Sequence, residues 1–543
     1  MRTKLFVRSG FVFATASALL LSGCSTGQDV DSSKGKDNGK EPANLNATGL
    51  PIVKEKLTLK MVTTKAAQQK KPHGEMQVIK NFENETNVHI EWDATAAGQG
   101  YPEKKNLMFA GGDLPDAFFG PESLSDDDLI RYGPQGLIIA LESLIPKYAP
   151  HIQEMMDKNP SIKKTITAPD GHIYSIPSIE EGKENMIGEV TFINKKWLDK
   201  LNLQVPTTTE QFEQVLKAFK EKDPNGNGKP DEIPFSFLYG NALNGIYSFS
   251  GAFGSLDNGQ HIMVENNKVA LTTVQPGFKE ATKYMNQLYK QGLIDQEAFT
   301  HDRNVYFAKG RSKGAPVYGA FSGFLATNVV GPEYADQYIA LPPLKGPGGT
   351  QLYNEYEASY FTRAGFAITS SNKNPEASLR WINELYKEKN ALQWSNGPIG
   401  VTITEKADGT YGYMPTPQGM SFDEFRTSEA PGNTSAKAIL QATASKIEPN
   451  ESVKKRLEYL AAYKPFMKKM ILPSMLLDTK DSERVAVLKT DIINYITQMQ
   501  TKWVMNGTLD AEWNEYISKL DKMGLKEMMD IYQNAYTRYQ AVK

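Results

Sequence analysis

Between Leu57 and Phe119 strand and helix signals alternate, and this alternation restricts the fold more than any other feature of the 543-residue chain. Leu57-Thr58-Leu59-Lys60-Met61-Val62 alternates apolar and polar residues, the period of a strand. A helix is expected from about Gly74 to Glu85, with Met76, Ile79 and Phe82 on one face, and Val88, Ile90 and Trp92 then mark a second strand. A second helix runs out near Gly111-Gly112, and Asp113-Leu114-Pro115-Asp116 introduces a short buried strand, Ala117-Phe118-Phe119. A β-α-β-α-β series predicts a largely parallel sheet covered on both faces, with ligands at the carboxyl ends of its strands.

Other segments carry helix signals of their own. Thr207-Thr208-Thr209-Glu210 precedes Phe212, Val215, Leu216 and Phe219. A threonine oxygen there can accept from an orphan backbone N–H, and a Glu or Gln three residues on can reciprocate. Asn374-Pro375-Glu376 starts a helix with proline at its first position, where the missing N–H costs nothing. Near the C-terminus Val485, Leu488, Ile492, Tyr495 and Met499 recur at helical spacing. Trp513, Tyr516, Leu520 and Met523 do the same after a break at Asn506-Gly507. These stripes read as core. No internal repeat occurs and no long linker follows residue 56, so short crossings must join the two or three packed units that this length implies.

The N-terminus has a different character. Arg2, Lys4 and Arg8 precede an apolar stretch from residue 10 to 21, too short for a permanent bilayer span, and residues 1–23 therefore read as a cleaved secretory signal. Leu21-Ser22-Gly23-Cys24 resembles the lipobox of bacterial lipoproteins, in which the cysteine is diacylated. Cys24 is the single cysteine of the chain, so a disulfide scaffold is excluded. From residue 24 to about 56 the sequence is polar and low in complexity, and is expected to be a flexible tether that holds a soluble body off the membrane. With 61 Lys and Arg against 63 Asp and Glu, and no strongly basic stretch, the chain lacks the electrostatic footprint of a dedicated nucleic-acid binder.

The sharpest local motif is Asp223-Pro224-Asn225-Gly226-Asn227-Gly228-Lys229-Pro230-Asp231-Glu232. Side-chain oxygens recur at every second position and glycine stands at the sixth, as at the start of an EF-hand loop. A calcium ion takes six to eight oxygens, which alternate residues of a tight loop can direct inward. Asp223, Asn225, Asn227, the Lys229 carbonyl, Asp231 and Glu232 make up such a set. The twelfth position is Pro234 where a full EF-hand has a bidentate glutamate, so Glu232 would close the shell two residues early. Lying between a capped helix and an apolar strand (Ile233 to Leu238), the ion is expected to staple the structure.

Catalytic signatures are missing. The six histidines (His73, His89, His151, His172, His261, His301) include no pair at the spacing of a helical zinc site, and neither a G-x-S-x-G elbow nor a Walker loop occurs. Paired carboxylates of a glycosidase are set in space and leave no spacing to read.

Over the whole mature chain the sequence resembles the extracellular solute-binding lipoproteins of bacterial ABC sugar importers. The resemblance is to the long-chain group of calcium-containing alginate-oligosaccharide binders and Bacillus-type complex-sugar lipoproteins. It is carried by Asn106-Leu-Met-Phe-Ala-Gly-Gly-Asp-Leu-Pro-Asp116, Gly136-Leu-Ile-Ile-Ala-Leu-Glu-Ser-Leu-Ile145, Asp170-Gly-His-Ile-Tyr-Ser-Ile-Pro177, Phe192-Ile-Asn-Lys-Lys-Trp-Leu-Asp-Lys-Leu201, Asn374-Pro-Glu-Ala-Ser-Leu-Arg-Trp381 and the calcium loop.

The resemblance implies an α/β, two-lobed periplasmic-binding-protein-like fold with interleaved lobes and three hinge crossings. By analogy the first lobe takes 57–178 and 330–395, and the second 179–329 and 396–543. It also implies a lipid-anchored, monomeric receptor on the outer face of the cell membrane. This receptor closes on an oligosaccharide, an acidic one being one option, and delivers it to an ABC permease. Two other functions stay open: an extracellular polysaccharide-degrading enzyme, and a partner that presents its ligand to a membrane sensor kinase. A sugar site needs aromatic platforms with amide or carboxylate partners. Loops at strand ends offer Lys65, Glu122, Tyr239, Asn241, Phe321, Ser322, Trp394 and Ser395, each of which could equally be packed or merely solvated.

Overall fold

The computed structural model describes residues 42–542 except 66–68, 70, 97–99, 244, 358 and 421. The signal 1–23 and Cys24 lie outside the described residues. The expected series forms: strand Leu57–Lys65, helix Gln77–Thr86, strand Val88–Ala96, helix Tyr101–Gly111 and strand Ala117–Phe119. The three strands pair in parallel, with Leu57–Lys65 in the middle. Leu59 and Met61 enter one core with Phe119, Ile79 and Trp381, whereas Val62 and Phe118 enter another with Phe109. Consecutive side chains of a strand point to opposite faces, so Phe118 and Phe119 seal both sides of the sheet.

The sheet continues beyond the parallel series and is mixed. Ser359–Ile368 runs antiparallel to Ala117–Phe119 and to Ile176–Glu181, and Ala438–Ile439 joins Ile176–Glu181 in parallel. The second sheet has the order Tyr338–Leu341, Val190–Asn194, Tyr318–Gly323, Ile233–Ser236, and only its last pair is parallel. It too is covered on both faces, with Ile193 and Ala320 in one core and Phe192 and Phe321 in another.

From strand Ile176–Glu181 to helix Glu451–Tyr463 the described chain passes between the sheets three times, and beyond Tyr463 it meets both again, with Leu476 in a core of the large sheet and Val504 in one of the small. The first crossing lies between Glu181 and Val190, and the second between Leu341 and Ser359. The third lies between Ile439 and helix Glu451–Tyr463, whose Leu460 and Tyr463 pack in the small-sheet core. These positions correct the expected lobe boundaries. The second crossing falls after residue 341 instead of at 330, because Tyr338–Leu341 pairs with Val190–Asn194. The third falls after residue 439 instead of at 395, because Ala430, Ala436 and Ala438 pack in the large-sheet core.

The tether also ends earlier than expected. Leu45, Ile52 and Val53 are buried in the large-sheet core. The Ile52 N–H donates to the Thr86 carbonyl at 2.9 Å, and Arg380 donates to the carbonyls of Asn46 and Gly49. These three buried apolar residues and the hydrogen bonds to Thr86 and Arg380 together tie 44–56 to the core.

Local signals hold where they rest on local bonds. Helix Thr209–Glu221 is capped by Thr208, whose hydroxyl accepts from the Gln211 N–H at 3.2 Å. The Gln211 side chain reciprocates one residue earlier than expected, accepting from the Thr207 N–H at 2.8 Å. Helices Thr479–Asn506 and Leu509–Lys522 break at Gly507, whose φ of 73° is open to glycine at little cost. Among the described residues no helix is long and apolar enough to cross a membrane.

Candidate ligand cleft and metal loop

A cleft of about 330 Å³ opens beside the crossings. Asn185, Ile187 and Gly188 of the first crossing form one wall, and Asn354 to Glu357 of the second, with Tyr360 at the start of strand Ser359–Ile368, form another. Phe324, just past strand Tyr318–Gly323, Leu243 and the loop of Asn258 and Gln260 close it from the small-sheet side. Phe324, Tyr356 and Tyr360 offer ring faces, and Tyr360 is 66% exposed. Amides come from Asn185, Asn258, Gln260 and Asn354, and the Asn354 Oδ1 is buried without a hydrogen-bond partner. The described lining includes Glu355 and Glu357 but no lysine or arginine. Stacking faces ringed by amides and carboxylates suit a polyhydroxylated ligand with apolar ring faces.

Behind this wall lies Glu189, fully buried. Its carboxylate accepts from the Ser248 N–H at 2.8 Å and from the Tyr356 hydroxyl at 3.1 Å. Burial is the main influence on it and pushes the carboxyl up to about 7, against the pull of these hydrogen bonds. The Tyr353 hydroxyl donates to the Glu189 carbonyl at 2.8 Å, so the first and second crossings are bonded to each other.

The residues expected from strand ends fare differently. Phe321 and Ser322 are buried within the small sheet, with Phe321 against Phe192 at 5.2 Å and Tyr338 at 4.9 Å. Trp394 is 1% exposed and packs edge-on against Phe82 and Trp381. Ser395 is buried and its carbonyl accepts from Arg426. Phe321 and Ser322 are enclosed because the small sheet is covered on both faces, and Trp394 and Ser395 because helix Glu388–Asn396 packs this side into the core. The Tyr239 hydroxyl donates to Gln500 at 2.7 Å and its ring meets Phe299. Asn241 accepts from the Leu243 N–H at 3.0 Å and so shapes the turn that carries Leu243 into the cleft. Lys65 is half-buried at the end of its strand. Burial, and then the Lys65 charge, push the neighbouring His73 down to about 4. Glu122 is exposed and lines a separate depression with Tyr101 and Arg363.

Sequence reasoning missed Phe324, Tyr356, Tyr360 and Glu189. The run Asn354-Glu355-Tyr356-Glu357, polar with an aromatic and placed between two strands, was the available signal for the second crossing. Nothing local marks Phe324, Tyr360 or Glu189.

The expected metal loop is held by short-range bonds of its own, the Asn225 and Asn227 side-chain oxygens accepting from the N–H groups of Asn227 and Lys229. Burial raises Asp223, but the N–H groups of Gly228, Gly226 and Asn227 outweigh this and hold its carboxyl below the usual range. The amides of Asn225 and Asn227 both reach Asp231, at 2.8 and 2.9 Å. Glu232 Oε1 is buried without a partner. Burial first, and then the charges of Asp223 and Asp231, hold the Glu232 carboxyl above its usual range. Oxygens of this kind suit a hard cation, but here Asp223 is met by backbone N–H groups and Asp231 by the two amides, and the three carboxylates do not gather tightly around one point. A second acidic group, Asp295, Glu297 and His301, is already served: Lys309 Nζ lies 3.0 Å from Asp295 and 2.6 Å from Glu297, and His301 Nε2 bonds the Phe237 carbonyl. An ammonium stands where a metal would.

The profile of a family described as "Bacterial extracellular solute-binding protein" matches residues 66–392. The fructooligosaccharide ABC transporter substrate-binding protein FusA of Streptococcus pneumoniae is 36% identical, over 100% of both chains. Its structure with kestose covers 90% of this chain and 100% of that one, with a TM-score of 0.73, and an EF-hand mutant of it with fructo-nystose superposes at 0.74 over the same shares. An "HMO binding" ABC-transporter-associated solute-binding protein from Bifidobacterium longum infantis is 26% identical, with a TM-score of 0.79 over 89% of this chain and 99% of that one. Alginate-binding AlgQ2 without calcium is 25% identical, with a TM-score of 0.64 over 90% and 100%.

Proposed function

The chain belongs to the bacterial extracellular solute-binding proteins, and from that premise we propose that it captures a neutral oligosaccharide of the fructan type for an ABC importer. The observation that carries this reading is the cleft lining: three aromatic faces, four amides and two carboxylates without a described lysine or arginine. An anionic uronate chain would meet only like charge there, which costs affinity and rejects the wrong partner. This turns the reading away from an acidic sugar.

The lobes divide at the crossings, with 57–181 and 359–439 in one and 190–341 and 451–463 in the other. Sugar held between walls from both sides of the hinge stabilises the closed form in proportion to its preference for it, and the permease reads that form. Asp223, Asn225, Asn227, the Lys229 carbonyl, Asp231 and Glu232 would hold calcium, which neutralises their mutual repulsion and fixes the loop between helix Thr209–Glu221 and strand Ile233–Ser236. FusA, whose EF-hand mutant has been solved, supports this assignment. Diacylated Cys24 anchors a monomeric receptor to the outer face of the membrane.

Titration calorimetry with kestose, nystose and trimeric uronates tests the proposal. The expected result is one-to-one binding of the neutral sugars, no heat from the uronates and no product on prolonged incubation. Liberated monosaccharide, or preference for a uronate, would overturn it.

A further inference from the structure

Arg456, on helix Glu451–Tyr463, is 1% exposed. Burying a guanidinium is costly unless its donors are met, and a carboxylate is the usual partner. Here the donors go to main-chain carbonyls. Nε and Nη2 reach Glu184 at 3.2 and 3.1 Å, Nη1 reaches Gly188 at 3.1 Å and Phe324 at 3.0 Å, and Nη2 also reaches Ile187. The guanidinium carbon also lies 3.9 Å from the centre of the Phe324 ring. Burial lowers its pKa to about 10, which leaves it charged at neutral pH.

Ile187, Gly188 and Phe324 are cleft-lining residues, and Arg456 itself is not. From the opposite side Tyr353 bonds the Gly188 N–H at 3.0 Å, and a Cβ on Gly188 would lie 2.6 Å from the Tyr356 ring. The first crossing is thus held between a cation from one direction and two tyrosines of the second crossing from the other. We infer that Arg456 is a positioning residue of the cleft: without touching ligand, it aims the Phe324 ring and shapes the 184–188 wall that receive the sugar. The inference rests on the cleft being the ligand site. It requires the planar fork of arginine, since a lysine ammonium in the same space can serve only some of these carbonyls and cannot stack on the ring.

The test uses the full chain with Arg456→Lys, Arg456→Met, Phe324→Ala and the Arg456→Met/Phe324→Ala pair. Kestose affinity is measured by calorimetry at a temperature where circular dichroism shows each variant folded. Arg456→Lys, which keeps charge and stem, guards against misfolding of the methionine variant. Each single change is expected to weaken binding at least tenfold, and the pair to be little weaker than the worse single change, because both remove the same platform. Arg456→Lys binding within twofold of the unaltered protein, or full additivity with Phe324→Ala, would overturn the inference, since a purely structural arginine would lower the melting temperature and leave affinity alone. If the unaltered protein binds no neutral sugar, the ligand reading itself fails, and the inference with it.

Discussion

The metal loop and the ligand cleft are built in opposite ways. All six proposed donors of the loop fall between Asp223 and Glu232, and the bonds among them link residues at most six apart, with Lys200 reaching in to the carbonyls of Asp223 and Pro224. The cleft gathers residues from position 185 to position 472, and no two of its walls are neighbours in sequence. The loop can form wherever its ends are held, whereas the cleft exists only once both sheets and all crossings have packed. The loop should therefore govern stability with little effect on ligand, and the cleft the reverse.

The largest effect expected is on stability. Chelation by EDTA, or Asp223→Ala, should lower the melting temperature in calcium-containing buffer, by a free energy of about 4 kcal/mol if calcium is present at a thousand times its dissociation constant. Kestose affinity of the still-folded protein should change less than threefold. An unchanged melting temperature, with no calcium by elemental analysis, would remove the loop from the comparison.

Glu189 joins the two behaviours. Its carboxyl is raised from 4.5 to about 7, so the folded state holds a proton that the unfolded state has released between those values. Stability from this group is full below pH 4.5, falls as pH rises to about 7 and is flat above, a total on the order of 3 kcal/mol. Glu189→Gln should abolish that slope. Melting curves of both proteins from pH 4.5 to 8.5 check it, and parallel curves would mean that Glu189 titrates normally.

The smallest change is expected at the cleft rim. Glu357→Lys should alter kestose affinity less than threefold while admitting weak uronate binding, seen by calorimetry at low salt. A large loss of kestose binding would place the Glu357 carboxylate on the sugar.

Legibility followed the same division. The Leu57–Phe119 series could be read because each strand and helix carries its own period, and the cap at Thr208 because it rests on neighbours. Phe321, on a strand, and Trp394, on helix Glu388–Asn396, carry no local sign that separates a packed ring from a ligand-facing one, and only the rings that surround them, Phe192 and Tyr338 for the first and Phe82 and Trp381 for the second, show that both are core. Ile52 and Val53 were hidden in a polar stretch whose burial depends on a helix more than 300 residues away, where Arg380 holds Asn46 and Gly49.

By itself the sequence determined the parallel start of the large sheet, the oxygen spacing of the metal loop and the resemblance to sugar receptors, because short-range periods and spacings record local geometry. Tertiary structure alone decided where the chain crosses between sheets, which aromatic rings face the cleft and why a buried arginine lacks a carboxylate. Those outcomes depend on which distant surfaces meet, and no window of sequence contains both partners.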